Sequence, residues 1–248
     1  MQPAPQATDA ELVAALADAQ RRVAQSVDAT RYSALDRAAG YHIHLGVLAA
    51  LGQTAGMLKT GIHPDGVGVA APIYASNVGR APGFRLSAAT VTGLEVEVGV
   101  VLARDIPPGP ADEQRVAAAV DHYFLGVEIC GTRFTDRKAA GLNGGLADNM
   151  SSLGYAIGPR RPRLTTEIDG LGVTLEFGGQ QIYAAPTKHG FGTVLASLVA
   201  YAANQLPAYP LRGGTIITTG SLCGLVPTSG AGHVVARLGD EMLAFEIV

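Results

Sequence analysis

The chain has no tryptophan, only two cysteines and no excess of charge of either sign. Its 8 tyrosines and 6 phenylalanines are scattered and form no stacking platform for nucleic-acid bases. The formal net charge is −3 and no basic run occurs, which argues against nucleic acid and anionic membranes as partners. Cys130 and Cys223 do not make a disulfide framework and indicate reduced thiols in a cytosolic protein.

Long hydrophobic runs are also missing. No uncharged apolar stretch approaches the ~18 residues that a membrane-spanning helix needs. The opening MQPAPQATDAELVAA lacks a charged segment followed by an apolar one, so it predicts no secretory signal. We therefore expect a cytoplasmic protein without a membrane partner.

Glycine is abundant, with 32 residues among 248, which is typical of many turns and short strands. Periodicity predicts helices over 9–26 (capped by Thr8 or Asp9), 32–52 (capped by Ser33 and ended by Gly52), 112–122 and 192–206. Strands are predicted at 54–60, 67–75, 94–103, 124–130, 153–158, 214–220, 233–238 and 242–248, with a hairpin over 172–185 that turns at Gly178 and Gly179.

This order of elements predicts an α+β fold with a mixed, strongly curved sheet. We expect a single domain over 1–248, with an N-terminal helical segment over 1–55 and a sheet-rich core over 56–248. The chain is long enough to bury a substantial core.

The segment GLEVEVGVVL, residues 93–102, places two carboxylates inside an apolar strand. Side chains alternate between the faces of a strand, so Glu95, Glu97 and Gly99 share one face, opposite a valine- and leucine-rich face. One interpretation is a half-exposed strand whose glutamates lie in water.

A second strand, FLGVEIC, favours another interpretation, because Gly126, Glu128 and Cys130 share one of its faces. If the two strands are neighbours, three carboxylates converge and repel one another, which a bound cation would relieve. Three oxygen ligands suit Mg²⁺ or Mn²⁺. No histidine and cysteine cluster has the spacing of a zinc site.

Four motifs occur in order: LEVEVGVVLARDIP, GVEICGTRFTDRKAAGL, LADNMSSLGYAIG and TTGSLCGLVP. Together with the two leading helices, they resemble the 2-oxopent-4-enoate hydratase and 4-oxalocrotonate decarboxylase group of the fumarylacetoacetate hydrolase superfamily. The resemblance implies that superfamily's curved sheet, or β-roll, as the catalytic core. It also implies that Glu95, Glu97 and Glu128 hold Mg²⁺ or Mn²⁺.

The resemblance further implies a lyase of aromatic meta-cleavage catabolism acting on small 2-oxo acids. One reaction adds water to a 2-hydroxydienoate to give a 4-hydroxy-2-oxo acid, and the alternative decarboxylates a 2-oxo-3-enedioate. A third possibility is a catalytically idle partner of such an enzyme. Self-association is expected for the family, as is a hydratase–decarboxylase complex.

In GMLKTGI and HPDGVG, Lys59 and Asp65 match the family's proton-transfer lysine and its aspartate partner. Near a bound cation the pKa of a buried Lys59 would be lowered, which suits a proton shuttle. Alternatively, Lys59 is a solvated loop residue and Pro-Asp-Gly is an ordinary turn.

Further family positions imply contacts with the substrate. These are Lys138, Asp148, Asn149, Ser151, Thr219 and Ser221. Lys138 could equally be a surface residue, and the residues of LADNMSSLG could simply build a loop through side-chain hydrogen bonds.

Three departures from the family pattern bear on activity. Asp65 follows Lys59 by only six residues, so a loop that covers the site in the family is shortened. Gly131 replaces an aspartate, and Leu58 replaces a tryptophan before the lysine. The predicted metal ligands are retained, whereas their surroundings differ.

Overall fold

The computed structural model describes residues 7–87, 89–161, 168 and 170–248. Its α-helices are α1 (Asp9–Arg21), α2 (Arg37–Ala50), α3 (Glu113–Ala117), α4 (Gly141–Ala147) and α5 (Ala196–Ala203). Its strands are β1 (Ala55–Ile62), β2 (Gly68–Tyr74), β3 (Val78–Arg80), β4 (Arg85–Leu86), β5 (Val91–Leu102), β6 (Val120–Gly131), β7 (Ser152–Arg161), β8 (Gly172–Phe177), β9 (Gln180–Pro186), β10 (Ile216–Ser221), β11 (Val226–Pro227), β12 (Gly232–Leu238) and β13 (Glu241–Ile247). Short 3₁₀ turns cover Ala29–Tyr32, Ala75–Asn77 and Asn149–Ser151.

The strands form two sheets in the described part of the chain. The larger has the order β2-β1-β10-β5-β6-β7-β3, with β11 paired to β5, and the smaller has the order β4-β13-β12-β8-β9. The pairs β1–β10, β3–β7 and β4–β13 are parallel and the other pairs are antiparallel. The larger sheet curls into a half-barrel, so the predicted α+β class with a mixed, curved sheet is confirmed.

The main core joins the two sheets. The valine- and leucine-rich face of β5 and the matching face of β6 lie in one buried cluster with residues of β8, β12 and β13. A second cluster joins α1 and α2 to Phe134, Ala140 and Ala147. The N-terminal helices therefore pack against the chain that follows β6.

Local signals located the start of α1, the end of α2 and the turn of the hairpin. Thr8 and Glu11 form a capping box at the start of α1, and Gly52, with φ +61°, follows the end of α2. Gly178 and Gly179, with φ +59° and +79°, make the predicted hairpin turn. Asp36, rather than Ser33, caps α2, because its side chain accepts a hydrogen bond from the Ala39 backbone N–H.

Several predicted helices are too long. Helix α1 ends at Arg21 rather than residue 26, and α5 is shorter than the predicted 192–206. The helix predicted over 112–122 stops at Ala117, because strand pairing with β5 begins at Val120. The short elements β3, β4, β11 and α4 were not predicted. None of the described helices has the length and apolar character to cross a membrane.

Candidate active site

Strands β5 and β6 are antiparallel neighbours, and their register brings the predicted carboxylates together. Glu95 lies directly opposite Glu128, and Glu97 lies opposite Gly126. Directly opposed residues project from the same face of a sheet, so all three glutamates share one surface. Glu97 and Glu128 are 0% exposed, which overturns the interpretation of a strand whose glutamates all lie in water.

Lys59 from β1 reaches this surface. Its Nζ donates a hydrogen bond of 2.7 Å to Glu128 Oε1, lies 3.9 Å from Glu95 Oε2 and donates to the Met150 carbonyl at 3.3 Å. The Lys59 side chain is only 13% exposed, so the alternative of a solvated loop lysine does not hold.

The pKa of Lys59 is raised, because Glu128 and Glu95 outweigh the burial that on its own would lower it. The expected lowering assumed a neighbouring cation, whereas here the nearest charges are carboxylates. The ammonium form is therefore stabilised and neutralises one carboxylate.

The charge at this surface is not fully compensated. Burial, followed by repulsion from Glu128 and Glu95, raises the pKa of Glu97 well above its usual value, and burial also raises that of Glu128. Glu97 Oε1 and Glu128 Oε2 are buried without a hydrogen-bond partner among the described residues. Buried carboxylate oxygens without partners are costly, and a cation is the partner that such oxygens prefer.

Two glycines make room for aromatic rings beside the glutamates. A Cβ on Gly126 would lie 2.4 Å from the Tyr155 hydroxyl, and one on Gly99 would lie 2.1 Å from the Phe124 ring. Gly99 and Gly126 thus allow aromatic rings to pack directly on the strand backbone.

A strained turn borders the site next to Lys59. Asn149, Met150 and Ser151 are consecutive non-glycine residues with φ of +50°, +52° and +64°. Such left-handed residues cost energy and persist only where the surroundings hold them in place. The Met150 side chain packs over Gly61 of β1, which fixes the carbonyl that accepts from Lys59.

The predicted substrate-contact residues divide into several groups. Asn149 is buried near Lys59 with its Oδ1 lacking a partner among the described residues. Ser151 belongs to the same turn, and its hydroxyl accepts a 2.7 Å hydrogen bond from Arg137. Lys138 is exposed.

Asp148 makes structural contacts instead. It forms a buried ion pair with Arg133 and accepts hydrogen bonds from the Thr132 hydroxyl at 2.6 Å and the Arg133 N–H at 3.0 Å. Its oxygens are therefore occupied by protein donors, in agreement with the loop-building alternative.

The β10–β5 register decides which threonine faces the carboxylates. Thr218 lies opposite Gly99, on the face of Glu95 and Glu97, and the bulge that follows between Thr218 and Ser221 brings Ser221 opposite Glu97. The Thr218 hydroxyl donates to Glu97 and lies 3.2 Å from the Tyr155 hydroxyl, whereas Thr219 donates to the Val98 carbonyl at 2.7 Å. Ser221 donates to the Gly224 carbonyl at 3.1 Å.

Asp65 is not brought together with Lys59. It lies in the tight turn between β1 and β2, where it pairs with Arg37 and accepts from the Val67 N–H at 3.1 Å. The short loop noted in the sequence is this turn, closed by a 2.9 Å bond from His63 N–H to the Val67 carbonyl.

Close packing around position 131 leaves room for glycine but not for the aspartate that the family has there. A Cβ there would lie 2.2 Å from the Thr90 carbonyl oxygen and 2.3 Å from the Leu153 side chain. No aspartate fits at that position without moving backbone. Leu58, which replaces the tryptophan, is buried in the main core.

Sequence reasoning assigned no site role to three residues at this surface: Cys130, Tyr155 and Thr218. The alternation of β6 already put Cys130 on the face of Glu128, and ligand atoms of Glu95, Glu128 and Cys130 lie within 4.8 Å of one another. Tyr155 of β7 lies opposite Glu128 of β6, which no local pattern indicates.

Comparisons with known proteins identify the family and the fold of the chain. The family model for the fumarylacetoacetate (FAA) hydrolase C-terminal region matches residues 69–246. A 2-keto-4-pentenoate hydratase of Paraburkholderia xenovorans (strain LB400) is 32% identical over 132 residues, which cover 52% of this chain and 48% of that protein. The match thus spans about half the length of this relative.

Solved structures resemble almost the whole chain. The 4-oxalocrotonate decarboxylase of Pseudomonas putida G7, complexed with calcium and acetate, superposes with a TM-score of 0.78 at 18% identity, over 99% of this chain and 100% of that one. The same enzyme complexed with magnesium and adipate gives a TM-score of 0.77 at 18% identity, with the same coverage. At this identity the likeness shows a shared fold.

Proposed function

Because the chain belongs to the FAA hydrolase C-terminal family, we propose that it is a divalent-metal-dependent lyase acting on a small 2-oxo acid. The reaction adds water to a 2-hydroxydienoate, through its 2-oxo tautomer, to give a 4-hydroxy-2-oxo acid in aromatic meta-cleavage catabolism. The observation that carries the proposal is the contact of Lys59 with Glu128, 2.7 Å long, inside a three-carboxylate cluster in which Glu97 and Glu128 are buried. The relative that matches over about half its length is named a hydratase, which supports the choice of reaction.

The residues present fit a divalent cation. Glu95, Glu97 and Glu128 would hold Mg²⁺ or Mn²⁺, since two of them carry buried oxygens without partners among the described residues. The calcium and magnesium complexes of the structural neighbour support this choice. When bound, such an ion polarises the 2-oxo group and stabilises negative charge on that oxygen.

The chain's own groups would bind the substrate and move its protons. Lys59, which contacts Glu128 and Glu95, would be the proton-transfer residue at the edge of the cluster, because a cation bound to these carboxylates would lower its pKa towards the range of a proton shuttle. Asn149 and Ser151 lie on the strained turn next to Lys59, where they would contact the substrate carboxylate. Thr219 and Ser221, at the C-terminal end of β10, would supply backbone N–H groups to an anion.

Two residues stay at the level of sequence prediction. Asp65 is the predicted partner of Lys59, although its contacts with Arg37 favour a role in the turn. Lys138 is exposed, and its assignment as a substrate ligand depends on the resemblance alone.

Decarboxylation of a 2-oxo-3-enedioate on the same residues is the second candidate. It is favoured by the superposition on 4-oxalocrotonate decarboxylase over 99% of this chain. Both reactions pass through an enolate of a 2-oxo acid, so one set of residues can serve either.

A steady-state assay with Mg²⁺ or Mn²⁺ tests the proposal. The two substrates are 2-hydroxypenta-2,4-dienoate and 2-oxo-3-hexenedioate, and turnover of the first identifies the hydratase and of the second the decarboxylase. We expect Lys59→Met to lower kcat/KM by about 10²-fold or more, because a positioned proton donor contributes that much. The control Lys188→Met removes a lysine that is exposed on the surface and should change kcat/KM little.

Two results would contradict the proposal. No turnover of either substrate by metal-loaded protein would indicate an idle partner of such an enzyme. Full activity in Glu95→Gln would remove Glu95 from the metal site.

We also propose that the protein is cytoplasmic and self-associates, and that it can form a hydratase–decarboxylase complex. Two free cysteines agree with a reducing compartment. Light scattering of the purified protein, alone and mixed with a partner enzyme of the other activity, would measure both associations.

A further inference from the structure

A thiol belongs to the carboxylate cluster. Cys130 follows Glu128 by two positions on β6, so both side chains project from the same face. One ligand atom each of Glu95, Glu128 and Cys130 lies within 4.8 Å of the other two. Small side-chain movements would bring three such atoms around a single ion.

An independent observation points to a ligand here. Glu128 is 0% exposed, and its Oε2 lacks a hydrogen-bond partner among the described residues. Cys130 is 5% exposed, so the thiol is also shielded from bulk water. Glu95 is 18% exposed, which leaves a route by which an ion can reach the cluster.

Glu97 is not a member of this set. Thr218 donates a hydrogen bond to its Oε2, and Cys130, rather than Glu97, completes the group of mutually close ligand atoms. The surface therefore carries two overlapping ligand sets that share Glu95 and Glu128. The first is completed by an oxygen of Glu97 and the second by the sulfur of Cys130.

Sulfur changes the ions that such a site prefers. Mg²⁺ and Mn²⁺ favour oxygen ligands, whereas Zn²⁺, Co²⁺ and Cd²⁺ bind thiolates strongly. Two carboxylates and one thiolate also leave a position of a tetrahedral ion open. Within this ligand set the charges of Lys59 and a divalent ion match those of two carboxylates and one thiolate, after the thiol has released its proton to solvent.

We propose that Glu95, Glu128 and Cys130 form a binding site for a thiophilic divalent cation, which competes with the hard ion of the proposed lyase for their shared carboxylates. This inference rests on the proposed metal site and goes beyond it. It predicts that Zn²⁺ or Cd²⁺ displaces Mg²⁺ or Mn²⁺ from the protein.

Titration of the metal-free protein with Cd²⁺ or Co²⁺ alone tests the proposal. A sulfur-to-metal charge-transfer band should appear in the ultraviolet and saturate at one ion per chain. The variant Cys130→Ser should lose the band and bind Cd²⁺ about 10-fold or more weakly, the loss typical of one altered interaction at a metal site. Added Mg²⁺ should weaken the apparent Cd²⁺ affinity of the unaltered protein.

Cys223→Ser is the matched control. Its sulfur lies 3.4 Å from the Val96 N–H and 3.2 Å from the Gly224 carbonyl, and it is outside the ligand set. This variant should keep the band. A band that disappears in Cys223→Ser and persists in Cys130→Ser would overturn the assignment.

The outcomes separate this inference from the proposed function. Binding of Mn²⁺, measured by the loss of the free-ion electron paramagnetic resonance signal, should persist in Cys130→Ser and weaken in Glu97→Gln. Cd²⁺ binding without a charge-transfer band would refute the thiol ligand and leave the lyase proposal intact. Failure of the unaltered protein to bind any of these ions would refute both.

Discussion

Arg133 and Asp148 illustrate how a buried charge is satisfied by protein groups alone. The Asp148 carboxylate accepts from the guanidinium, the Arg133 backbone N–H and the Thr132 hydroxyl, while Arg133 also donates to the Asp148 carbonyl at 2.7 Å. At the carboxylate cluster, by contrast, two oxygens of Glu97 and Glu128 lack partners among the described residues. A buried charge with complete contacts indicates a structural role, and one with missing contacts indicates a ligand.

We therefore expect Asp148→Asn to destabilise the protein by about 3–5 kcal/mol, because it leaves Arg133 buried without its counter-charge. Urea unfolding followed by circular dichroism would measure this loss. The exposed pair of Asp18 and Arg22 supplies the control, since Asp18→Asn should cost at most about 1 kcal/mol. An unchanged stability together with a raised KM in Asp148→Asn would instead support the substrate-binding role predicted from the sequence.

His44 of α2 is a second buried polar residue, and it contacts α4 and the loop that contains Tyr209. Its Nδ1 donates to the Leu146 carbonyl at 3.2 Å, and its Nε2 accepts from the Tyr209 hydroxyl at 2.9 Å. Burial lowers the pKa of His44 from 6.5 to about 4, although the bond to Leu146 opposes the shift. The folded state therefore holds a neutral ring where the unfolded chain would bind a proton.

This shift predicts a pH dependence of stability. Between pH 6.5 and about 4 the unfolded state binds more protons at His44, so its contribution is complete above pH 6.5 and falls as the pH drops towards 4. A shift of this size corresponds to about 3 kcal/mol. Urea unfolding at several pH values should show a smaller loss in His44→Gln than in the unaltered protein. The exposed His42 on the same helix is the control, and His42→Gln should keep the original slope.

Along strand β6, close contacts with neighbouring strands decide where glycine is required. Along one strand, Gly126 admits the Tyr155 ring, Glu128 faces the cluster, and Gly131 passes close to the Thr90 carbonyl. Gly126 and Gly131 are needed because the Tyr155 ring and the Thr90 carbonyl occupy the space that a Cβ would fill. The replacement of the family's aspartate at Gly131 is thus a consequence of how β5 and β6 approach each other.

An aspartate at position 131 should destabilise the fold. We expect Gly131→Asp to destabilise the protein by about 3 kcal/mol, because overpacking and an added buried charge act together. The control is Gly172→Asp in β8, where a Cβ meets nothing within 4 Å and the change should cost less than about 1 kcal/mol. Thermal unfolding of both variants would measure the difference, and equal stability would contradict the packing argument.

At the scale of the whole molecule, the fold contains two buried hydrophobic clusters. The larger joins the two sheets, and the smaller joins α1 and α2 to residues that follow β6. Because α4 and Phe134 contribute to the smaller cluster, the N-terminal helices share their core with the rest of the chain. The division into a helical segment over 1–55 and a core over 56–248 within a single domain stays a prediction.

A core substitution tests that prediction. Leu16→Ala removes a buried side chain of the smaller cluster and should cost about 2–5 kcal/mol. If residues 1–248 form a single domain, calorimetry should show one transition shifted as a whole. Leu142→Ala, at a side chain that is 55% exposed, should leave the transition almost unchanged. Two transitions, of which only one moves, would contradict the single domain.

Local physics made part of this structure predictable. Alternation alone put Glu95 and Glu97 on one face of β5 and Glu128 on the face of β6 opposite its apolar residues, because the strand repeat is two residues in any context. The glycine pair of the β8–β9 hairpin and the Thr8 cap were equally predictable, since each depends on a few adjacent residues. Order and spacing of motifs were sufficient to indicate the family.

Only the tertiary structure decided which partners those residues meet. The pairing of Glu95 with Glu128, and the reach of Lys59 across 69 positions to Glu128, depend on strand order and register. The pairing of Thr218 with Gly99 across β10 and β5 placed Thr218, not Thr219, beside Glu97. Asp65 paired with Arg37 because a tight turn carried it away from Lys59. The sequence determined which groups share a face, and long-range packing determined their charges and contacts, because register and burial depend on the whole chain.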